Sequence, residues 1–127
     1  MKMYRADLHI HTCLSPCADL EMSPKYIARE LRDKGIHIVG ICDHNSAENV
    51  PGVTRAARGF PIHIIGGLEI TSREEVHILG LFDRRDNLFA MQAAVYRHLD
   101  GENDPYRFGM QIVANHEDEV LGFNPRL

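Results

Sequence analysis

The chain has 127 residues, 44% hydrophobic and 25% charged, with a formal net charge of −4, the make-up of one ordinary folded domain rather than a disordered segment. No run of about 18 apolar residues is present to cross a bilayer, and a pI near 6.0 leaves no basic footprint for wrapping nucleic acid. Three cysteines, Cys13, Cys17 and Cys42, with no CxxC pair, argue against a disulfide framework and for a reducing, cytoplasmic compartment, and the first residues do not read as a secretory leader.

Residues 6–11 read as a short strand. Ser23 and Pro24 open a helix, the serine as cap and the proline at the first helical position. Ile27, Ala28 and Leu31 recur at helical spacing, and Gly35 supplies the stop. Residues 36–42 form an apolar run suited to a buried parallel strand. A weaker helix covers 50–58, and a strand restarts at 61–66. Residues 68–71 and 76–79 flank a polar tetrapeptide and read as a β-hairpin. Leu88, Met91, Val95 and Leu99 mark one face of a helix that Gly101 ends. Residues 110–114 and 119–123 form a second hairpin around 115–118. This order predicts a single α/β domain with mostly parallel strands and two β-hairpin extensions. Its parallel edge needs cover, from a further segment or from a second copy in a homo-oligomer.

The chemistry gathers at strand ends. His9 and His11 lie two apart on a strand, so both imidazoles face one side, at the C-terminal end where α/β sheets carry their sites. The second apolar run hands over to Asp43, His44 and Asn45, which also suits a plain capping turn. The third ends at Glu69, and its hairpin returns His77. A three- or five-residue loop centred on Arg73 sets Glu69 opposite His77, whereas a four-residue loop sets Glu69 against Ile78 and turns His77 away. Imidazole and carboxylate at three successive strand ends point to a centre for zinc, manganese or iron. Asp43 reads as a residue orienting a ligand from behind. Cys13 and Cys42 read as packing, His37 and His63 sit near strand starts, and His98 and His116 fall in a helix and a turn.

The runs Asp7-Leu8-His9-Ile10-His11-Thr12, Asp43-His44-Asn45 and Gly67-Leu68-Glu69 with Val76-His77, joined by Leu14-Ser15-Pro16-Cys17 and Val120-Leu121-Gly122-Phe123-Asn124, resemble the PHP (polymerase and histidinol phosphatase) family over essentially the whole chain. The resemblance implies the N-terminal portion of a distorted (β/α)7 barrel, lacking its C-terminal part, with up to three divalent metals at its mouth. It implies His9, His11 and Glu69 on a first metal, Glu69 and His77 on a second, and His44 on a third. The family's next histidine position holds Cys17 here, a ligand that would favour zinc or else a small residue in a tight turn. The later histidine and the Asp-x-His pair of the family do not occur after His77. The implied activity is hydrolysis of phosphate esters by a metal-activated water, on a phosphorylated small molecule, a nucleotide or an oligonucleotide. Arg73 and Arg84, with Arg85, are the candidate phosphate contacts. Two alternatives stay open: a truncated or degenerate PHP module that binds metal or a partner without catalysis, and a metal hydrolase acting on other bonds.

Overall fold

Strands β1 (Ala6–Ile10), β2 (Ile38–Ile41) and β3 (His63–Thr71) lie side by side and parallel, and β4 (His77–Phe82) returns antiparallel beside β3, in a sheet of order β1-β2-β3-β4. This is a computed structural model, and it describes residues 1–126. Helices α1 (Pro24–Asp33), α2 (Val50–Ala56) and α3 (Arg85–Tyr96) pack on one sheet face. Their shared core joins Ile27 and Leu31 of α1, Val50 and Val53 of α2 and Leu88 of α3 to Val39, Ile41 and Leu68 of the sheet. Side chains alternate along a strand, so with Leu68 in this core Glu69 must face the other way. Leu79, paired with Glu69, shares that face. A single turn, α4 (Pro105–Phe108), leads to a separate two-stranded sheet of β5 (Ile112–Ala114) and β6 (Val120–Phe123). The α/β class, the mostly parallel sheet and both hairpins agree with the sequence pattern.

Several details differ, each for a local reason. Ser23 stands at the N-cap of α1 but its side chain makes no capping bond. The free amide of Lys25 donates instead to Asp118 Oδ1 at 2.8 Å, and Lys25 Nζ meets Glu117 at 2.6 Å, so the turn of the second hairpin caps the first helix. The hairpin between β3 and β4 adopts neither anticipated register: Thr71 pairs with His77 and Glu69 with Leu79. Residues 72–76 make the turn, with Glu75 at φ 60 and the Ser72 hydroxyl accepting the amides of Glu74 and Val76. That centres the loop on Glu74, yet it keeps Glu69 and His77 on one face as diagonal neighbours. Helix α3 stops at Tyr96 instead of near Gly101, leaving His98 and Leu99 beyond it, and Met91 is exposed. The one-turn α4 is too short to carry a periodic signal.

Asn49 ties the second sheet to the first. Fully buried, its amide nitrogen donates to Thr12 Oγ1 and to the Ile112 carbonyl, both at 2.9 Å, and its oxygen accepts the Ala114 amide at 2.9 Å. Asn49→Ala strands a buried carbonyl and a buried amide at once, at about 1–3 kcal/mol for each such group. It should therefore lower the unfolding free energy by roughly 3 kcal/mol in urea titration and open residues 110–126 to limited proteolysis first. A loss below about 1 kcal/mol would mean water replaces the amide freely.

Candidate metal centre

Strand β1 carries an irregularity against β2 between Asp7 and Ile10, a bulge of the kind that re-aims side chains beside sites. His9 within it and His11 just past it turn toward each other and toward Glu69. His9 Nε2 and His11 Nε2 are 3.1 Å apart, and each lies 3.0 Å from Glu69 Oε2. The second carboxylate oxygen, Oε1, is 2.8 Å from His77 Nδ1. His44 Nδ1 stands 3.7 Å from Oε2, its ring 4.8 Å from that of His11 and 5.3 Å from that of His77. The Glu69 backbone is stitched to the loop after β2: its amide donates to the Asp43 carbonyl at 3.0 Å and its carbonyl accepts from Asn45 at 2.8 Å. Asn45 holds the left-handed conformation at φ 52, which asparagine tolerates well, and its side-chain oxygen accepts the Thr71 amide.

Behind the imidazoles lies Asp43, with no solvent exposure. Its carboxylate accepts the Thr12 amide at 2.6 Å, the Thr12 hydroxyl at 2.8 Å and the Ser15 hydroxyl at 2.7 Å. Ser15 gives its only proton to Asp43, so the same oxygen must accept from its other neighbours: the His44 amide at 3.0 Å and His11 Nδ1 at 2.9 Å. His11 is thereby held as the Nδ1–H tautomer, which turns the Nε2 lone pair toward Glu69.

The electrostatics follow. Burial, with His44 and His9 close by, lowers the His11 pKa to about 4, and Glu69 only partly offsets this. Burial likewise lowers His44. Burial pushes Glu69 up, but the hydrogen bonds from His9 and His77 outweigh it and hold the carboxyl below its ordinary value. Asp43 is raised by burial to about 6 despite its three donors. Burial also raises the Cys17 thiol, and the Glu69 and Asp43 charges add to this. The lowered His11 and His44 imidazoles beside an ionised Glu69 supply donors of the kind that divalent cations require.

Three overlapping groups offer ligand atoms within 4.8 Å of one another: His9, His11 and Glu69; His44, Glu69 and His77; and His11, Cys17 and His44. In the first, the edges of 3.0, 3.0 and 3.1 Å match atoms sharing one ion at about 2.0–2.2 Å each. The residues present therefore fit divalent metal. All six candidate ligands singled out in the sequence come together, and Asp43 sits behind them. The arginines do not join them. Strand β4 runs away from the cluster, so Arg84 and Arg85 emerge at its far end, Arg84 near Asp86 (3.9 Å) and Arg85 over the Phe89 ring. Arg73 is exposed on the hairpin turn beside a groove against α3. Thr12, Ser15 and Asn45 stood within the quoted motifs, but their roles in holding Asp43, His11 and Thr71 were not read from the sequence. Their only signal was position, next to a histidine pair or a strand end.

Among known families, the model of the PHP domain matches residues 7–127. A 5′-3′ exoribonuclease of Haemophilus influenzae is 32% identical over 82 residues, which are 61% of this chain and 29% of that protein. An uncharacterized protein of Methanocaldococcus jannaschii is 32% identical over 90 residues, 65% of this chain and 52% of its own length. The crystal structure of a Bifidobacterium adolescentis protein, provisionally assigned as a metal-dependent phosphoesterase, matches with a TM-score of 0.58 at 23% identity, over 76% of this chain and 33% of the other. That likeness speaks for the fold. The chain spans about a third to a half of the length of these relatives.

Two outcomes follow from the buried network. Asp43→Asn leaves one of the two hydroxyls without its acceptor and frees the His11 tautomer, so metal affinity should fall roughly 10–100-fold in chelator competition; unchanged affinity would deny Asp43 an orienting role. The second concerns pH. With the His11 pKa near 4 when folded and 6.5 as its ordinary value, the unfolded chain alone binds a proton between the two, so this contribution to stability rises with pH and is complete above 6.5. Asp43, raised to about 6 from 3.8, acts in the opposite sense: its contribution is lost as pH rises from 3.8 to 6. In chelator, the stability difference between wild type and His11→Gln should therefore grow from pH 4 to 6.5 and then level off. A flat difference across that range would show that His11 is not held neutral.

Proposed function

This chain belongs to the PHP domain family, and we propose that it carries the metal-binding part of a phosphoesterase that hydrolyses phosphate esters. The supporting observation is the division of one carboxylate: Glu69 offers Oε2 to His9 and His11 and Oε1 to His77, the arrangement of a carboxylate bridging two ions. Divalent ions held there would supply positive charge to the phosphate oxygens and a water acidic enough to attack phosphorus near neutral pH. That supply matters because neither Arg73 nor Arg84 stands in the cluster, which contains no arginine or lysine of its own.

The chain's residues do the holding. His9, His11 and Glu69 form the first set, His77 shares Glu69 for a second, and His44 with Cys17 forms a third, because the single free nitrogen of His11 serves one ion. Ser15 and Asp43 keep the His11 proton on Nδ1, which leaves its Nε2 free to act as a ligand. A thiolate at Cys17 favours zinc over manganese in the third set. The substrate is a phosphorylated small molecule, a nucleotide or an oligonucleotide, and the exoribonuclease relative favours the nucleotide classes. In this reading the four-stranded sheet is the first part of a larger β/α barrel, and the protein works in the reducing cytoplasm, where its three thiols stay free. The unpaired edge of β1 is covered by further chain or by a second copy.

Purified without chelators, the protein should hold at least one zinc, manganese or iron per chain and release phosphate from p-nitrophenyl phosphate or a nucleotide. A strong chelator should abolish turnover and Glu69→Gln should release the metal. Bound metal with no turnover assigns a binding module without catalysis, the alternative left by the absent later ligands. Failure to find any transition metal by elemental analysis overturns both.

A further inference from the structure

A cleft of about 250 Å³ opens directly beside the histidine cluster. It is lined by His44, His77 and Cys17 of the site together with Pro16, Asn103 and Phe108. No lysine, arginine, aspartate or glutamate lines it. A cleft without charge next to a site suited to phosphate divides the labour: the anion belongs over the imidazoles, and the cleft suits an uncharged group attached to it.

Phe108 is not a loose surface residue, although it is 51% exposed. It ends the one-turn α4, which Asp104 caps by accepting the Tyr106 amide at 2.9 Å and which Gly109 closes at φ 68. Gln111, 4% exposed, locks the segment from below. Its amide nitrogen donates to the carbonyls of Phe108 and Gly109, both at 3.1 Å, and its oxygen accepts Asn103 Nδ2 at 3.0 Å. The Asn103 amide is tied in turn to the Pro125 carbonyl at 2.6 Å. A buried glutamine that spends all three of these bonds on a loop, while leaving its aromatic ring half in water, preorganises a contact surface. A phenyl ring lining the same cleft as a proline and two imidazoles is complementary to another planar ring.

We propose that the cleft between Phe108 and the His44–His77 side of the centre is the subsite for the ester's organic group, and that it takes a planar, uncharged ring stacked on Phe108, either a nucleobase or a simple aryl group. This rests on the phosphate-site reading above and refines its substrate class. The polar rim formed by Asn103, Asn45 and Thr71 supplies groups able to hydrogen-bond a heterocycle's edge, which the aryl group would not use.

The test uses non-hydrolysable ligands, so that turnover is not required. Zinc-loaded protein is titrated calorimetrically with methylphosphonate, phenylphosphonate and an adenosine 5′-phosphonate. Phenylphosphonate should bind roughly tenfold tighter than methylphosphonate, the scale of one stacking contact. Phe108→Ala should bring that ratio close to one, while Phe108→Trp should preserve or raise it. Tighter binding of the adenosine ligand than of phenylphosphonate assigns the subsite to a nucleobase, and the reverse order assigns it to an aryl group. Equal affinity for the methyl and phenyl ligands in the wild type, or a ratio unmoved by Phe108→Ala, overturns the ring subsite and leaves the phosphate reading intact. If none of the three binds to zinc-loaded protein, the phosphate reading falls and the subsite with it.

Discussion

The buried Asp43 carboxylate, satisfied only by neutral donors, is the constraint on which the arrangement rests. Burying such a group costs of order several kcal/mol unless its lone pairs are met. Here the Thr12 amide and the hydroxyls of Thr12 and Ser15 meet them. These donors come from the loop that follows β1, while Asp43 comes from the end of β2, so satisfying the carboxylate also fixes where the first histidine pair stands relative to the second strand. Ser15 passes the constraint on to the His11 ring and to the His44 backbone. Thr12 passes it the other way: its hydroxyl oxygen accepts from Asn49, which holds β5. Fold stability and site geometry are therefore drawn from the same hydrogen bonds.

Glu69 is fixed by a different device. Strand β2 ends at Ile41, yet backbone pairing with β3 continues through Asp43 and Asn45, which grip the Glu69 amide and carbonyl. The continuation needs a left-handed residue at position 45, and asparagine satisfies it while using its side chain to hold Thr71. Two glycines keep this part of the sheet tight. A Cβ at Gly67 would fall 2.7 Å from Cys42 Sγ and 2.6 Å from the Gly80 carbonyl oxygen, and one at Gly40 would fall 2.3 Å from the Leu8 carbonyl oxygen. Close strand approach beside the site thus depends on residues whose role is steric, not chemical.

Much of this was legible in the sequence because the signals were local. Ser23-Pro24, the apolar run before Asp43 and the paired histidines each report on a few neighbouring residues, and their periodicities survive folding. Five of the candidate ligands were visible for the same reason, as residues of the right chemistry at strand ends, whereas Cys17 came only from the family resemblance. What stayed hidden depends on distant pairing. The donors to Asp43 lie 28 and 31 positions away, and the cap of α1 lies 93 positions from the amide it serves. No local pattern distinguishes Asp118 in that role from any other turn aspartate. The hairpin register turned on a Ser72 side chain reaching into its own turn, a choice between near-equal loops. The arginines misled because charge alone gives no direction: Arg84 follows a strand that leads away from the site.

Exposure across the cluster is graded, and the gradient bears on function. The side chains of His11, His44 and Glu69 are 19%, 18% and 10% exposed, whereas those of His9 and His77 are 45% and 50% exposed. The three inner groups are held by Ser15, by backbone pairing and by the sheet, so their donor atoms keep their spacing with little entropy left to lose on binding. The two outer groups share Glu69 and each also stands beside an inner imidazole, His9 by His11 and His77 by His44, with His9 on the open edge strand and His77 on the returning hairpin. A rigid inner triangle with adaptable outer arms can accept ligands of changing charge without disturbing the Asp43 network behind it. The flank at His77 shares its cleft with Pro16 and Phe108, and Phe108 sits on the loop that Gln111 fixes, so this flank is the more preorganised of the two.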